Sequence, residues 1–237
     1  STGIRGSFWG PGSADINLLG KVEGNFEDKT FKGSNVNLRG SQAPDEPKHL
    51  YFETNEPSHL MGRNAKDEVV DLVTKGQLNL AVNDGNARVI LAERVRLSME
   101  GEKPMTARVG ELRDFDLEAK SFSADKDVEF TGPWGTGKGK RAVRYSEEHF
   151  QLFGEEGALA SFTLDPIMGG RLDFGTLHAR DIELKSTDVV AQGDVRVRLK
   201  GPEGEQELDC AQFKIAQIGD RVDGKPTKFS FEAKQVT

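Results

Sequence analysis

The sequence predicts an all-β protein, built as a long antiparallel sheet with few helices. The first observation behind this prediction is a phrase of one small residue, two polar residues and an apolar–polar–apolar triplet. Its copies begin at Ala92, Ala119, Ala179 and Cys210. Alternation with period two is typical of a strand that has one buried and one solvated face. The 27 glycines fall mainly between the alternating runs, where turns and bulges need positive φ angles.

The first half of the chain contains strands of increasing regularity. Residues 18–52 form short alternating pieces, which a proline-containing loop at 44–47 interrupts. Alternation strengthens over residues 69–97, and the Asn-Asp-Gly-Asn sequence at 83–86 predicts a hairpin turn. Residues 67–74 could form two turns of helix, but their β-branched side chains favour a strand.

The second half repeats this organisation. Residues 122–153 predict a strand, a glycine-rich bend, a second strand, a turn at 146–148 and a third strand. The stretch 165–170, with one proline and two glycines, is expected to separate two halves. The alternating pattern then resumes and continues to residue 233.

Composition restricts the classes of function. With 39 acidic and 32 basic residues the net charge is −7 and the pI is about 5.3, which disfavours nucleic-acid binding. Cys210 has no second cysteine to pair with and is expected to be a small buried hydrophobe. The sequence has no apolar run of the length that spans a membrane. Because it starts at Ser1, we expect either a trimmed export product or a chain that lacks an anchoring segment.

Motifs for catalysis and for cofactors are not found in the sequence. Residues 132–138 match the first seven positions of a phosphate-binding P-loop, but Gly139 follows where that motif has Ser or Thr. A strand is also predicted there instead of a helix. The four histidines have no closely spaced metal-binding partners, and no nucleophile motif is present. We therefore expect no enzyme activity, no metal and no cofactor.

One hairpin of this acidic protein concentrates positive charge. The candidate anion-contact residues are Lys138, Lys140, Arg141 and Arg144. They could attract an anionic ligand, such as a lipid phosphate or the acidic edge of a partner protein. Alternatively, these side chains only keep the outer face of the strand in water.

Ordered phrases between residues 119 and 153 resemble the LptA/LptC (OstA-like) family of periplasmic lipopolysaccharide-transport proteins. The phrases are Ala-Asp-Lys-Asp-Val-Glu-Phe-Thr-Gly, Gly-Lys-Arg-Ala-Val-Arg-Tyr and Phe-Gln-Leu-Phe-Gly. The passage from residue 177, with its later Gly-Asp-Val, is similar to the same family. The resemblance covers roughly residues 70–235. We therefore expect an OstA-like domain at 66–237 and N-terminal strands at 1–65 of uncertain relation, or one continuous domain 1–237.

The resemblance implies a fold, a cargo and partners. The fold would be an extended antiparallel β-jelly roll, or β-taco, whose inner groove holds acyl chains. The function would be that of a non-enzymatic periplasmic bridge or chaperone component that carries lipopolysaccharide, or a similar acylated lipid, towards the outer membrane. Partners would be other β-jelly-roll proteins, joined through edge strands near residues 229–236, and an inner-membrane transporter complex. An inner-membrane anchor outside the present sequence would fit the same family.

The apolar side chains of the alternating strands are the candidates for that groove. They are Val128, Phe130, Phe150, Leu152, Ile182, Leu184, Val195, Val197, Phe213 and Ile215. Burying a lipid tail against them would contribute about 0.8 kcal/mol per CH₂ group. The same side chains would equally suit an ordinary closed core.

Two other functions remain open. The chain could be a β protein that binds or cleaves polysaccharide, with exposed aromatic side chains such as Trp9, Trp134 and Tyr145 contacting the sugar. It could also be a structural module that assembles into filaments through the edges of its sheets.

Overall fold

The computed structural model is all-β, as the sequence predicts. It describes the whole chain except residues 1–2, 11–12, 27, 42–48, 84–85, 102, 133–134, 165–172, 186–187, 202–203, 223–224 and 237. The described residues form eighteen strands and no helix, and neighbouring strands pair antiparallel. Most connections are short turns, so the chain runs back and forth through its sheets.

The strand bounds are as follows. The strands are β1 Gly3–Gly10, β2 Ser13–Phe26, β3 Lys29–Ser41, β4 His49–Thr54, β5 Ser58–Arg63, β6 Val69–Thr74, β7 Leu78–Asn83, β8 Asn86–Met99, β9 Met105–Asp116, β10 Ser121–Gly132, β11 Gly135–Ser146, β12 His149–Phe153, β13 Ala160–Leu164, β14 Asp173–Ala179, β15 Asp181–Lys185, β16 Asp188–Gly201, β17 Gly204–Val222 and β18 Lys225–Val236.

Several local predictions are confirmed. β7 and β8 form the hairpin expected at 83–86, with Asn83 paired to Asn86, although the two loop residues between them lie outside the described residues. Residues 69–74 are strand β6 and not a helix. The turn at 146–148 joins β11 to β12. The glycine-rich stretch 165–170 and the loop at 44–47 also lie outside the described residues.

The chain divides into two compact units, unit 1 at 1–125 and unit 2 at 126–237. The division falls within strand β10. How residues 1–65 relate to the resembled family stays a prediction.

In unit 1 the long strands β3 and β8 enclose two rows of short strands. The C-terminal half of β3 pairs with β4, and its N-terminal half pairs with β5. β4 pairs with β7 to make the first row, and β5 pairs with β6 to make the second. β8 completes both rows, because its two halves pair with β7 and β6 in turn. β9 follows β8, and β2 and β1 continue the sheet beyond β3.

Unit 2 has the same pattern of pairing. The two halves of β11 pair with β12 and β13, which pair in turn with β15 and β14. β16 completes both rows, and β17 lies along β16. Strands β3 to β9 therefore correspond, in order, to strands β11 to β17. The last strand, β18, pairs with the C-terminal part of β17.

Each unit packs the inner faces of its two rows into one apolar core. In unit 1 the ring of Phe31, beside the second row, lies 5.9 Å from that of Phe52 in the first row. In unit 2 the centroid of the Phe130 ring lies 4.4 Å from that of Phe150 in the first row and 6.0 Å from that of Phe162 in the second. The alternation in the sequence therefore produces a folded sheet with a buried inside and a charged outside, in the manner of a jelly roll.

The long strands bend where they pass from one row to the other, and we call this line of bends the crease of each unit. Backbone φ angles are positive there, +52° at Arg94 in β8 and +74° at Gly193 in β16. Asp194 follows Gly193 with a φ of +53°. Residues with positive φ at these positions form β-bulges, which bend a strand without ending its pairing. The copy of the recurring phrase that begins at Ala92 and the Gly-Asp-Val sequence at 193–195 thus lie where the chain crosses the crease.

Candidate functional site

The ten candidate groove residues all lie on the inner faces of unit 2. Strands β10, β12, β15, β16 and β17 carry them, and each is between 0 and 4% exposed. Backbone register aligns them across the sheet, with Leu152 opposite Ile182 and Phe150 opposite Leu184. The structure thus brings the ten together in one apolar interior, which is filled by their own side chains.

This interior reaches the surface at the last strand. Phe213 and Ile215 of β17 are buried, and the ring of Phe231 on β18 stacks 6.2 Å from that of Phe213. Phe231 is nevertheless 40% exposed, and Val236 on the same strand is 56% exposed. Since Phe231 pairs with Ile215, the apolar face of β17 continues onto β18 and there meets solvent.

Two of the candidate anion-contact residues form ion pairs on the outer face of unit 2. Lys138 Nζ lies 2.7 Å from Glu129 Oε1, and Lys140 Nζ lies 2.8 Å from Asp127 Oδ1. The hydrogen bond to the Asp127 carboxylate raises the pKa of Lys140. Both ammonium groups are therefore already paired with carboxylates of β10.

The other two candidates have different surroundings. The guanidinium of Arg141 lies 4.6 Å from the centroid of the Phe153 ring, a cation–π contact on the outer face. Arg144 is only 1% exposed, and its Nε donates a hydrogen bond to the Ser146 carbonyl at 3.2 Å. Arg144 thus points away from the outer face that the other three share, and anion contact by this hairpin stays a prediction.

Cys210 and His178 both lie in surroundings that favour their neutral forms. Burial, together with the nearby Asp209 carboxylate, raises the pKa of the Cys210 thiol, which keeps it protonated at neutral pH. Partial burial, followed by the charges of Arg196 and Arg198, lowers the pKa of His178 and favours its neutral form. Neither residue has the surroundings of an activated nucleophile or base.

In the part of the chain that the structure describes, no group of three or more His, Cys, Asp or Glu side chains is placed to hold a metal ion. Over the same residues, no helix has the length and apolar character needed to cross a membrane. Trp134 lies outside the described residues, as does the side chain of Trp9, while Tyr145 is exposed on the surface of unit 2.

Unit 1 contains a second apolar interior that the sequence-based site prediction missed. Phe31, Leu60, Leu72 and Leu80 are buried at positions that correspond to the interior of unit 2. The alternation of residues 69–73 and 78–82 is the sequence signal for Leu72 and Leu80.

Comparison with known proteins adds no identification. No family model matches the chain, and no curated protein and no solved structure is significantly similar to it.

Proposed function

We propose that this protein is a non-enzymatic lipid carrier, a periplasmic bridge or chaperone component. Its cargo would be lipopolysaccharide or a similar acylated lipid, taken towards the outer membrane. The periplasmic setting and the lipopolysaccharide rest on the resemblance of the strand phrases to the LptA/LptC family. The acyl-chain chemistry rests on the apolar interior of unit 2.

The observation that carries the proposal is the exposed continuation of the apolar interior on β18. Phe231 and Ala233 of β18 pair with buried Ile215 and Phe213, and so share their face of the sheet. An acyl chain laid along this face would enter between Phe231 and the β17 side chains, and each buried CH₂ would contribute about 0.8 kcal/mol. The side chains that fill the interior would have to repack to admit it.

β18 also supports the proposed partnership with other β-jelly-roll proteins. Among the pairings described, β18 bonds to β17, and in the proposed assembly a partner strand would pair along the other backbone edge of β18. Addition of a partner strand there would extend the apolar face, so that cargo could pass from one protein to the next.

The test is site-specific photocrosslinking in the full chain. A benzophenone amino acid is placed at Phe231 or at Ala233, the protein is made in the periplasm of a lipopolysaccharide-producing bacterium, and the cells are irradiated. We expect an acylated lipid to be attached at both positions, as read from the intact mass of the purified protein. Native mass spectrometry of the unmodified protein, purified without detergent, should show the same lipid.

Glu232 and Lys234 are the matched controls, because they alternate with Phe231 along β18 and point to the other face. Benzophenone at these two positions should give no lipid adduct. Equal labelling at all four positions, or no lipid at any of them, would refute lipid carriage. Recovery of bound glycan instead of lipid would favour the polysaccharide-binding alternative.

A further inference from the structure

A cavity of about 690 Å³ opens at the crease of unit 1, beside the turns that follow β4 and β6. Its lining combines basic and apolar side chains, namely Lys21, Lys32, Lys75, Val22, Pro57 and Val73. Lys32 Nζ pairs with Glu23 Oε1 at 2.9 Å. Within the described part of the chain, Lys21 and Lys75 have no carboxylate partner. Positive charge therefore exceeds negative charge around this cavity.

Ser58 supplies a second, independent feature of the same cavity. Its side chain lines the cavity and is only 5% exposed, yet Oγ has no hydrogen-bond partner among the described residues. A buried hydroxyl without a partner destabilises the folded protein, because its hydrogen bonds to water are lost and not replaced. A ligand atom that accepts its proton would remove this destabilisation.

Unit 2 shows that the fold does not need this hydroxyl. Ser58 pairs with Thr74 at the start of the second row, and the corresponding pair in unit 2 is Ala160 with Ala179. Ala160 is fully buried. An alanine thus fills the same position in the same fold without an unpartnered polar atom.

The charges around the crease also differ between the units. The ion pair of Glu23 with Lys32 corresponds to that of Glu129 with Lys138, which aligns β2 with β10. Lys21 then occupies the position of Asp127. Asp127 neutralises Lys140 at 2.8 Å, whereas Lys21 lies opposite the uncharged Ser34.

The charges at a second pair of corresponding positions also differ between the two units. Arg180, at the turn between the rows of unit 2, pairs with Asp194 Oδ2 at 2.5 Å. Lys75 holds the position of Arg180, because its backbone N–H donates to the Arg94 carbonyl as that of Arg180 does to the Gly193 carbonyl. β8 has one residue fewer than β16 here and no counterpart of Asp194, and the Arg94 guanidinium donates a hydrogen bond to the Lys75 carbonyl. Unit 2 therefore pairs Arg180 with a carboxylate at its crease, whereas Lys75 has no carboxylate partner among the described residues.

We propose that the crease cavity of unit 1 binds a phosphate group. A phosphate dianion offers several oxygens to the ammonium groups of Lys21, Lys32 and Lys75 and can accept the proton of Ser58. The apolar side chains beside them would contact whatever the phosphate is attached to. The source could be the head group of a lipid or a soluble phosphorylated molecule. This site does not depend on lipid being carried in the interior of unit 2.

The experiment is a titration of the ¹⁵N-labelled full chain with inorganic phosphate at constant ionic strength, followed by amide chemical shifts. We expect saturable shifts at Lys21, Ser34, Ser58 and Lys75. Lys21→Ser and Lys75→Ser should each weaken binding by about tenfold, since each removes one charge-assisted contact. Ser58→Ala should weaken it without changing the net charge.

Lys200→Ser is the matched control, because it removes the same charge from an exposed strand position in unit 2. It should leave phosphate binding unchanged. The proposal is overturned if the shifts do not saturate, or if Lys200→Ser weakens binding as much as Lys21→Ser does.

A second titration, with dihexanoyl phosphatidic acid below its micelle concentration, distinguishes the two sources of phosphate. Binding at least tenfold tighter than that of inorganic phosphate, with shifts at Val22 and Val73, identifies a lipid head group. Equal binding identifies a soluble phosphorylated molecule. Failure of both ligands overturns the site, while the crosslinking at β18 tests lipid carriage separately.

Discussion

A buried ion pair holds the loop that precedes β6 against the end of unit 1. Lys120 is 2% exposed, and its Nζ donates hydrogen bonds to Glu68 Oε2 at 2.5 Å and to the Glu100 carbonyl at 2.9 Å. Asn64 Nδ2 donates a further hydrogen bond to Glu68 at 2.8 Å. The carboxylate and the ammonium are therefore both satisfied within the protein, as buried charges require.

Removing the Glu68 charge should destabilise the protein. Glu68→Gln leaves the Lys120 ammonium buried without its counter-charge, and we expect a loss of about 3 kcal/mol in the free energy of unfolding. Urea denaturation at pH 7 measures it. Glu232→Gln, at an exposed position, should change stability by less than about 0.5 kcal/mol. Similar losses in both variants would contradict the role given to the pair.

The same pair predicts a pH dependence. The hydrogen bonds from Lys120 and Asn64 lower the pKa of Glu68 in the folded protein. A lowered folded pKa adds stability above the unfolded value of about 4.3, and that stability is lost as pH falls through the folded pKa. The difference in stability between the parent and Glu68→Gln should therefore shrink between pH 5 and pH 3. A difference that stays constant over this range would contradict the prediction.

Ser58 allows a paired test at the residue scale. Because its buried hydroxyl has no partner among the described residues, Ser58→Ala should raise the free energy of unfolding by about 1 kcal/mol. The reciprocal change in unit 2, Ala160→Ser, should lower it by about 1–2 kcal/mol, since it buries a hydroxyl in an apolar position. Loss of stability in Ser58→Ala, measured without phosphate, would show that Oγ has a structural role.

At the scale of elements, the crease depends on residues that tolerate positive φ angles. Gly193 has a φ of +74°, and a Cβ placed there would lie 3.2 Å from Arg180 Cβ. Gly193→Ala should therefore cost about 1–3 kcal/mol and disturb the pairing of β16 with β15. Gly24→Ala is the control, because a Cβ at Gly24 meets no atom within 4 Å. Equal effects in the two variants would argue against a special role for the crease.

The strands could be predicted from the sequence, but the way they fold over could not. Alternation identified β6, β7 and the hairpin at 83–86, because each strand buries one face. The Gly193-Asp194-Val195 phrase was visible in the sequence, yet its role as a bulge emerges only from its backbone angles. The correspondence of the two units was hidden, because pairs such as Ser58 and Ala160 share a register position but not a residue type.

The candidate site was predictable to the same extent. Alternation identified the inward-facing residues of unit 2, since it distinguishes the two faces of a strand. It does not show where a face becomes exposed, which depends on how many strands cover it, as at Phe231. The cavity of unit 1 joins residues far apart in the sequence, such as Lys21 and Lys75, so no local pattern could predict it.

At the scale of the whole molecule, the net charge of −7 gives no general attraction for anions. Specific attraction has to come from the local surplus of cations at the crease of unit 1. Binding of phosphate there should weaken only moderately with added salt, since contacts within hydrogen-bond distance are much shorter than the Debye length of about 8–10 Å and are screened less than a long-range surface field. A steep loss of binding between 50 and 200 mM salt would instead indicate a diffuse surface effect.

The repeated topology predicts that the two cores open separately. Leu72 and Leu177 hold corresponding positions on β6 and β14, opposite Leu60 and Phe162, and both are buried. Replacing either leucine by alanine removes buried methyl groups and should cost about 2–5 kcal/mol. Since each side chain packs within its own unit, Leu72→Ala should speed amide hydrogen exchange mainly in residues 1–125, and Leu177→Ala mainly in 126–237. Hydrogen-exchange mass spectrometry of the full chain measures both, each variant serving as the control for the other. If both substitutions sped exchange equally throughout the chain, the two units would form one cooperative core.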